Sequence, residues 1–380
     1  MDRILPFSKE HEAFRRSFGQ FLDKEVVPYY EQWQHDGIVP RQIFERYGEL
    51  GYLCIWLDEK YGGADGDFLY SIIQTEETNA RGLNSLYTRL HSDVIAPYIY
   101  YHGTEEQKEH WLPIFASGKK ILAIAMSEPN AGSDLASLET KAERKGDYYV
   151  LNGSKAFISN GMLADYVLVA ARTDPTAKPH KGISLILVDT RSEGFSRTKL
   201  RKVGMHAQDT AELSFMDCKV PVENLIGEEN KGFYYLMEKL QQERVVAAVN
   251  AQTQARRSLT LTLKYVKERK LFGQSLSQFQ NTQFKLAKLA TEIEMAQSFN
   301  DQLILQHMAG KKINKEVSMA KYYCCELAVE TATQCVQLFG GYGLCEEYPI
   351  AQQFVDARFL PILAGTSEVQ LLIVAKELGL

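Results

Sequence analysis

The sequence changes character at residues 121–134, which read ILAIAMSEPNAGSD. Six apolar residues are followed at once by Ser127, Glu128 and Pro129, and then by small residues as far as Asp134. This pattern predicts a β-strand that ends in a compact loop. Such a loop lets backbone N–H groups and hydroxyls approach a flat or anionic ligand closely. The same residue types also form ordinary turns, and composition alone favours that simpler interpretation.

Outward from this stretch, the chain divides into three regions. Residues 1–120 carry apolar side chains at helical spacing, as in HEAFRRSFGQFLDKEVVPYYEQW. Residues 121–230 hold short runs of β-branched and aromatic residues between turn formers, which predict a small β-barrel or sandwich. Residues 231–380 return to long helical patterns with few breakers, which predict a four-helix bundle. The predicted fold class is therefore α+β, with a helical, a β and a second helical domain.

The composition bounds the kind of protein. The chain has 380 residues, of which 45% are hydrophobic, and its formal net charge is −5, which gives no reason to expect nucleic acid as a partner. The N-terminus has no apolar signal stretch and no run is long enough to cross a bilayer, so we expect a cytoplasmic protein without membrane contact. The six cysteines lack C-x-x-C spacing and are expected to be buried thiols. The histidines are scattered, so no metal is expected.

Five segments resemble those of a single enzyme family. Residues 127–134 are similar to the first signature of the acyl-CoA dehydrogenases, a Ser/Thr-Glu-Pro-x-Ala-Gly-Ser-Asp core. Residues 337–349, which read QLFGGYGLCEEYP, resemble the second signature, although Gln352 stands where Lys or Arg is usual. The other similar segments read SKAFISNG, YVKERKLFG and GTSEVQLLIVAKE, and all five occur in family order. The chain is identified as a member of this family, whose architecture is also helix, β-domain, helix.

The resemblance implies FAD as the cofactor, bound between the β-domain and the C-terminal helices, with a second subunit contributing. Ser127 would offer a hydroxyl to the flavin ring, Phe157 would stack beside it, and Ser159 would bond its N5 atom. Arg269 would meet the pyrophosphate of FAD in a neighbouring subunit. The other residues that the resemblance assigns to the cofactor are Ile124, Met126, Ser133, Phe272, Gln280, Gln337, Gly340, Gly341, Thr366 and Glu368.

The resemblance also implies the reaction, which is α,β-dehydrogenation of an acyl-CoA thioester to the 2-enoyl-CoA. A base would remove the α-proton while the β-hydride passes to flavin N5, and an electron-transfer flavoprotein would take the electrons. Ser133 and Arg244 would touch the CoA portion, and the backbone N–H of Ala364 would polarise the thioester carbonyl. The enzyme would belong to fatty acid metabolism and form a homotetramer.

The position of the base needs a separate argument, because Ala364 stands where many relatives have their catalytic Glu. Residues 240–248, which read LQQERVVAA, instead align Glu243 with the base of a subgroup that resembles the long-chain and isovaleryl enzymes.

The residues around Glu243 support this alignment independently. Leu236, Leu240, Glu243 and Ala247 follow helical spacing, which puts the carboxylate on an apolar stripe. Burial there would raise the pKa of Glu243, as suits a general base near neutrality. The alternatives are an ordinary salt bridge, for example with Lys239, or an exposed helix charge.

A second carboxylate, Asp93, lies in the region that lines the acyl pocket in this family. Asp93 could act as a second base further from the thioester, or bind a polar or ring-shaped acyl group, since some relatives act on alicyclic acyl-CoA esters. A helix cap, or a pair with Arg89, is an equally good explanation. Another hypothesis is a lyase or decarboxylase; decarboxylating relatives carry an Arg in this pocket, at a position that matches Ser85, which argues against this hypothesis, although Arg89 is near enough to keep it open. An oxidase on the same fold, and the identity of the acyl group, also stay open.

Overall fold

The structure is a computed structural model and describes residues 3–380. The N-terminal region is helical, and two of its helices, α2 and α5, are each preceded by a π-helical segment, Leu22–Val26 and Leu90–Ile95. Pro28 and Pro97 follow these segments; because proline has no N–H to donate, the helix cannot continue there with its regular bonds. The helices of this region are α1 (Lys9–Phe21), α2 (Val27–Asp36), α3 (Arg41–Glu49), α4 (Phe68–Ala80), α5 (Ala96–His102) and α6 (Glu105–Ala116).

The middle region is a mainly antiparallel β-domain. Its sheet has the strand order β6-β7-β3-β2-β4-β5-β8, and β1 pairs in parallel with β4. The strands are β1 (Leu122–Ala125), β2 (Lys141–Lys145), β3 (Tyr148–Ser159), β4 (Tyr166–Arg172), β5 (Ile183–Asp189), β6 (Phe195–Lys199), β7 (Thr210–Pro221) and β8 (Leu225–Ile226).

Strand β4 is buried on both faces because it separates two apolar cores. Leu168 and Ala170 belong to a cluster that includes Phe115 of α6. Val167 and Val169 belong to the core of the β-domain itself. Since successive side chains of a strand alternate in direction, one strand serves both cores and joins the N-terminal helices to the β-domain.

The C-terminal region is a bundle of three long helices, and the short helix α11 packs against α9. Mostly small and branched apolar residues, such as Ala255, Val317 and Ala328, fill its core. A hairpin of β9 (Lys270–Leu271) and β10 (Gln274–Ser275) connects the first two helices. The helices are α7 (Gly232–Glu268), α8 (Gln280–Met308), α9 (Asn314–Phe339), α10 (Pro349–Ala357) and α11 (Ser367–Glu377). The predicted order of helical, β and helical regions is confirmed.

One buried carboxylate joins the three regions. Asp356 of α10 accepts hydrogen bonds from Asn84 Nδ2 (3.0 Å), from the backbone N–H of Met205 (2.6 Å) and from Gln352 Nε2 (2.6 Å). These partners come from the N-terminal, middle and C-terminal regions in turn. Gln352 therefore makes a polar contact at the position where the family usually has Lys or Arg.

Two further expectations concern membrane-spanning helices and the burial of the cysteines. Within that range, no helix combines the length and the apolar character that crossing a bilayer would need. Five of the six cysteines are buried thiols, but Cys345 is exposed, so the expectation was wrong for this residue. The reason is that Cys345 follows a short 3₁₀ turn at the end of α9, outside the bundle core.

Candidate active site

Glu243 lies on α7 with its carboxyl group buried against α5. The Tyr98 hydroxyl donates a hydrogen bond to Glu243 Oε1 at 3.1 Å, and both residues are buried. Burial raises the pKa of Glu243 to about 7, while the Tyr98 bond and the positive charge of Arg244 act in the opposite direction. Lys239 pairs with Glu238 at 3.0 Å. The alternative salt bridge between Lys239 and Glu243 is therefore not formed.

Asp93 lies in the π-helical segment before α5 and is 3% exposed. Its Oδ1 atom accepts from the Ser71 hydroxyl at 3.0 Å, whereas its buried Oδ2 atom has no hydrogen-bond partner within the described part of the chain. Burial raises the pKa of Asp93 to about 6, and the charge of Arg89 opposes the rise. Arg89 donates instead to the Thr75 hydroxyl and to Asn250 Oδ1. Asp93 is thus neither a helix cap nor a hydrogen-bonded partner of Arg89.

A hydrogen bond connects the surroundings of the two acids. Gln242 Nε2 donates to the backbone carbonyl of Asp93 at 2.6 Å, and Gln242 immediately precedes Glu243. This bond fixes the π-helical segment against the part of α7 that carries the candidate base.

At the position where decarboxylating relatives carry an Arg, this chain has Ser85, which supplies no positive charge. The Ser85 hydroxyl donates to Gln34 Oε1 at 3.0 Å, so this side chain is bonded within the protein.

The turn that begins the C-terminal helix α11 has an unusual backbone. Ala364 has a φ of +52° and Gly365 a φ of +84°, both in the left-handed region. Thr366 caps α11 because its hydroxyl accepts from the N–H of Val369 at 3.3 Å. Glu368, in the first turn of α11, is exposed.

The predicted flavin residues of the β-domain lie on two adjoining segments. The N–H of Ala156 donates to the carbonyl of Ser127 at 3.0 Å, which joins the loop after β1 to β3. A β-bulge in β3 follows, where Phe157 has a φ of +61° and is 71% exposed. The Ser159 hydroxyl accepts from Gln208 Nε2 at 2.8 Å. Bulges commonly redirect side chains beside functional sites, as this one does for Phe157.

A buried ion pair that was not among the sequence candidates holds the same loop. Lys155 Nζ donates to Glu128 Oε1 at 2.7 Å and to the carbonyl of Met126 at 3.1 Å. Glu128 also accepts from the N–H of Thr140 at 3.0 Å. These bonds determine the course of the chain on either side of Ser127. A charged residue within the apolar run of β3 was the signal that could have identified the pair.

A cleft of about 610 Å³ lies at the end of α9. Four of the predicted cofactor residues line it: Arg269, Gln337, Gly340 and Gly341. Two more, Phe272 and Gln280, lie outside the cleft; Phe272, in the β9–β10 hairpin, is 96% exposed. Ser133 is exposed in the loop after β1, and Ile124 and Met126 are buried and half-buried there.

These groups fit a flavin dinucleotide. An exposed aromatic ring and two nearby serine hydroxyls suit a flat heteroaromatic ring, and a glycine-lined cleft with a guanidinium suits a pyrophosphate.

Comparison with known proteins decides the family. Sequence models described as the N-terminal, middle and C-terminal domains of acyl-CoA dehydrogenase match residues 8–119, 123–218 and 230–379. This chain belongs to the acyl-CoA dehydrogenase family. As a member, this acyl-CoA dehydrogenase is an FAD-dependent oxidoreductase of acyl-CoA thioesters.

Individual relatives are similar to this chain over nearly its whole length. The mitochondrial long-chain specific acyl-CoA dehydrogenase of Rattus norvegicus is 45% identical over 98% of this chain and 87% of its own length. A crystal structure of an acyl-CoA dehydrogenase from Geobacillus kaustophilus is 52% identical, covers 100% of both chains and has a TM-score of 0.98. A glutaryl-CoA dehydrogenase from Mycobacterium smegmatis, solved in complex with FADH2, is 29% identical with a TM-score of 0.90, and covers 98% of this chain and 95% of its own.

Proposed function

We propose that this acyl-CoA dehydrogenase uses Glu243 as the base that removes the α-proton of the thioester. The observation that carries the proposal is the buried Glu243 carboxyl on α7, whose pKa burial raises to about 7. A carboxylate of that pKa is a much stronger base than an exposed one and is still ionised in the neutral to mildly alkaline range. Ala364, at the position of the base in many relatives, has only its backbone to offer.

The other residues of the site bind and orient the thioester substrate and the cofactor. The Ala364 N–H donates to the thioester carbonyl, and Ser133 and Arg244 hold the CoA portion; Arg244 Nε is buried without a partner among the described residues. Bound FAD supplies the acceptor for the β-hydride. The residues that hold FAD are Ile124, Met126, Ser127, Ser133, Phe157, Ser159, Arg269, Phe272, Gln280, Gln337, Gly340, Gly341, Thr366 and Glu368.

We also propose an electron-transfer flavoprotein as the electron acceptor and a homotetramer as the assembly. Both follow from the family resemblance. The exposure of Phe272 (96%) beside the exposed Leu271 (37%) supports a second subunit at the cofactor, because adjoining exposed apolar residues commonly mark an interface.

The test of the base is Glu243→Gln in the FAD-loaded enzyme. We expect FAD to stay bound and the bleaching of flavin absorbance by acyl-CoA under anaerobic conditions to slow by roughly a hundredfold to ten-thousandfold, since general base catalysis contributes roughly 10²–10⁴. Glu238→Gln is the matched control, because Glu238 lies on the same helix but is exposed. Fast bleaching in the Glu243 variant would show that the base lies elsewhere. A panel of straight, branched, cyclic and dicarboxylic CoA esters in the same assay identifies the acyl group.

A second candidate function is dehydrogenation of an alicyclic acyl-CoA or enoyl-CoA with Asp93 as a second base. The observation in its favour is the buried Asp93 Oδ2 without a partner within residues 3–380. Asp93→Asn should then abolish flavin bleaching by cyclic CoA esters and leave bleaching by straight-chain esters within a few-fold. Equal effects on both substrate classes would assign Asp93 a structural role beside Arg89.

A further inference from the structure

Lys321 of α9 is fully buried, and within residues 3–380 it forms no salt bridge; the charges of Glu326 and Glu368 act on it without direct contact. Its Nζ donates instead to two backbone carbonyls, Leu360 at 3.0 Å and Gly365 at 2.7 Å. Burying an amine without a charged partner costs free energy, which its hydrogen bonds offset only in part. A residue kept at such a cost is a candidate for a functional role.

The two carbonyls stand at either end of the turn that contains Ala364. Ala364 adopts a left-handed φ of +52°, which an L-residue keeps only when its surroundings enforce it. Gln370, fully buried on α11, adds bonds from Nε2 to the carbonyls of Gly365 at 3.1 Å and Ala364 at 3.4 Å. Lys321 and Gln370 together therefore hold residues 360–365 in one backbone conformation.

We propose that Lys321 is a positioning residue, which holds this turn so that the Ala364 N–H points at the thioester carbonyl. The inference rests on the proposed function. When the α-proton leaves for the Glu243 carboxylate, the C–H electron pair moves into the carbonyl and charge develops on its oxygen. A backbone donor stabilises that charge only if it is already oriented, and loss of one such donor costs roughly 10²–10³ in rate.

The test uses a 3-thiaacyl-CoA with the FAD-loaded enzyme. This ligand can lose its α-proton, but sulfur replaces the β-carbon, so no hydride can follow. The resulting enolate beside oxidised flavin is read as long-wavelength charge-transfer absorbance over a pH series. Lys321→Met should move the midpoint of this ionisation upward by about one to two pH units, which is a ten- to hundredfold loss of enolate stabilisation.

The controls separate positioning from folding. An alkyl-CoA thioether, which has no carbonyl, should bind the wild type and Lys321→Met with the same affinity. Ser367→Ala removes the Ser367–Glu326 bond at 2.5 Å beside the turn without touching its carbonyls, and should leave the midpoint unchanged. If Lys321→Met does not fold, Gln370→Met tests the same turn and should move the midpoint in the same direction.

A Lys321→Met enzyme that keeps FAD and an unchanged midpoint would overturn the inference, as would an unchanged midpoint in Gln370→Met when only that variant folds. If the proposed role of Glu243 were wrong, the same assay would give a different result. In that case Glu243→Gln would still ionise the 3-thiaacyl ligand, whatever the Lys321 variant does.

Discussion

At the scale of single residues, the two buried acids work against stability above the pH at which they ionise in the unfolded chain. Burial raises the pKa of Glu243 to about 7 and of Asp93 to about 6. Between the unfolded and folded pKa values the folded state binds more protons, so this contribution to the free energy of unfolding falls as the pH rises. Residues retained at such a cost are reasonable candidates for function.

The Tyr98 hydroxyl lowers the pKa of Glu243, so its removal has a predictable sign. In Tyr98→Phe the base becomes harder to ionise, and the acidic limb of the kcat/KM profile should move upward by about one pH unit. Activity at pH 9 should then stay close to that of the wild type. Tyr100→Phe is the control, since the Tyr100 hydroxyl donates to Asp58 at 2.8 Å and not to Glu243. An unmoved limb would mean that the Tyr98 bond does not lower the pKa of Glu243 in the free enzyme, which is the state that kcat/KM reports.

At the scale of elements, strands that contain apolar runs were predictable and polar strands were not. The apolar runs within residues 121–230 became β1, β3, β4, β5 and β7. No such run marks β2, which reads KAERK, or β6, which reads FSRTK, because these strands bury few side chains. Their pairing is decided by neighbouring strands in the sheet, not by their own hydrophobicity.

The loop after β1 depends on its buried ion pair. Lys155→Met leaves Glu128 as an uncompensated buried charge, which should lower the free energy of unfolding by about 3–5 kcal/mol. Because the pair determines the course of the chain around Ser127, FAD should also dissociate more readily. Denaturant unfolding and fluorescence of released FAD measure the two effects. Lys141→Met, on exposed β2, should change neither.

At the scale of the whole molecule, one subunit leaves part of the proposed cofactor site open to solvent. If a second subunit covers it, Phe272→Glu should weaken both the assembly and FAD retention, because a charge would be buried at the interface. Light scattering gives the mass and flavin absorbance the FAD content. Met216→Glu, at another exposed position, is the control. An unchanged mass in the Phe272 variant would argue against an interface at this hairpin.

The sequence by itself determined the order of helical and β regions and the apolar stripe that carries Glu243, since periodic burial leaves a periodic pattern. It also supplied the signatures that led to the family. Only the tertiary structure decided what surrounds those residues, such as Tyr98 on Glu243 and Lys321 beneath Ala364. These partners lie more than forty residues away along the chain, with no local pattern to connect them. Contacts of that kind exist only once segments distant along the chain have packed together.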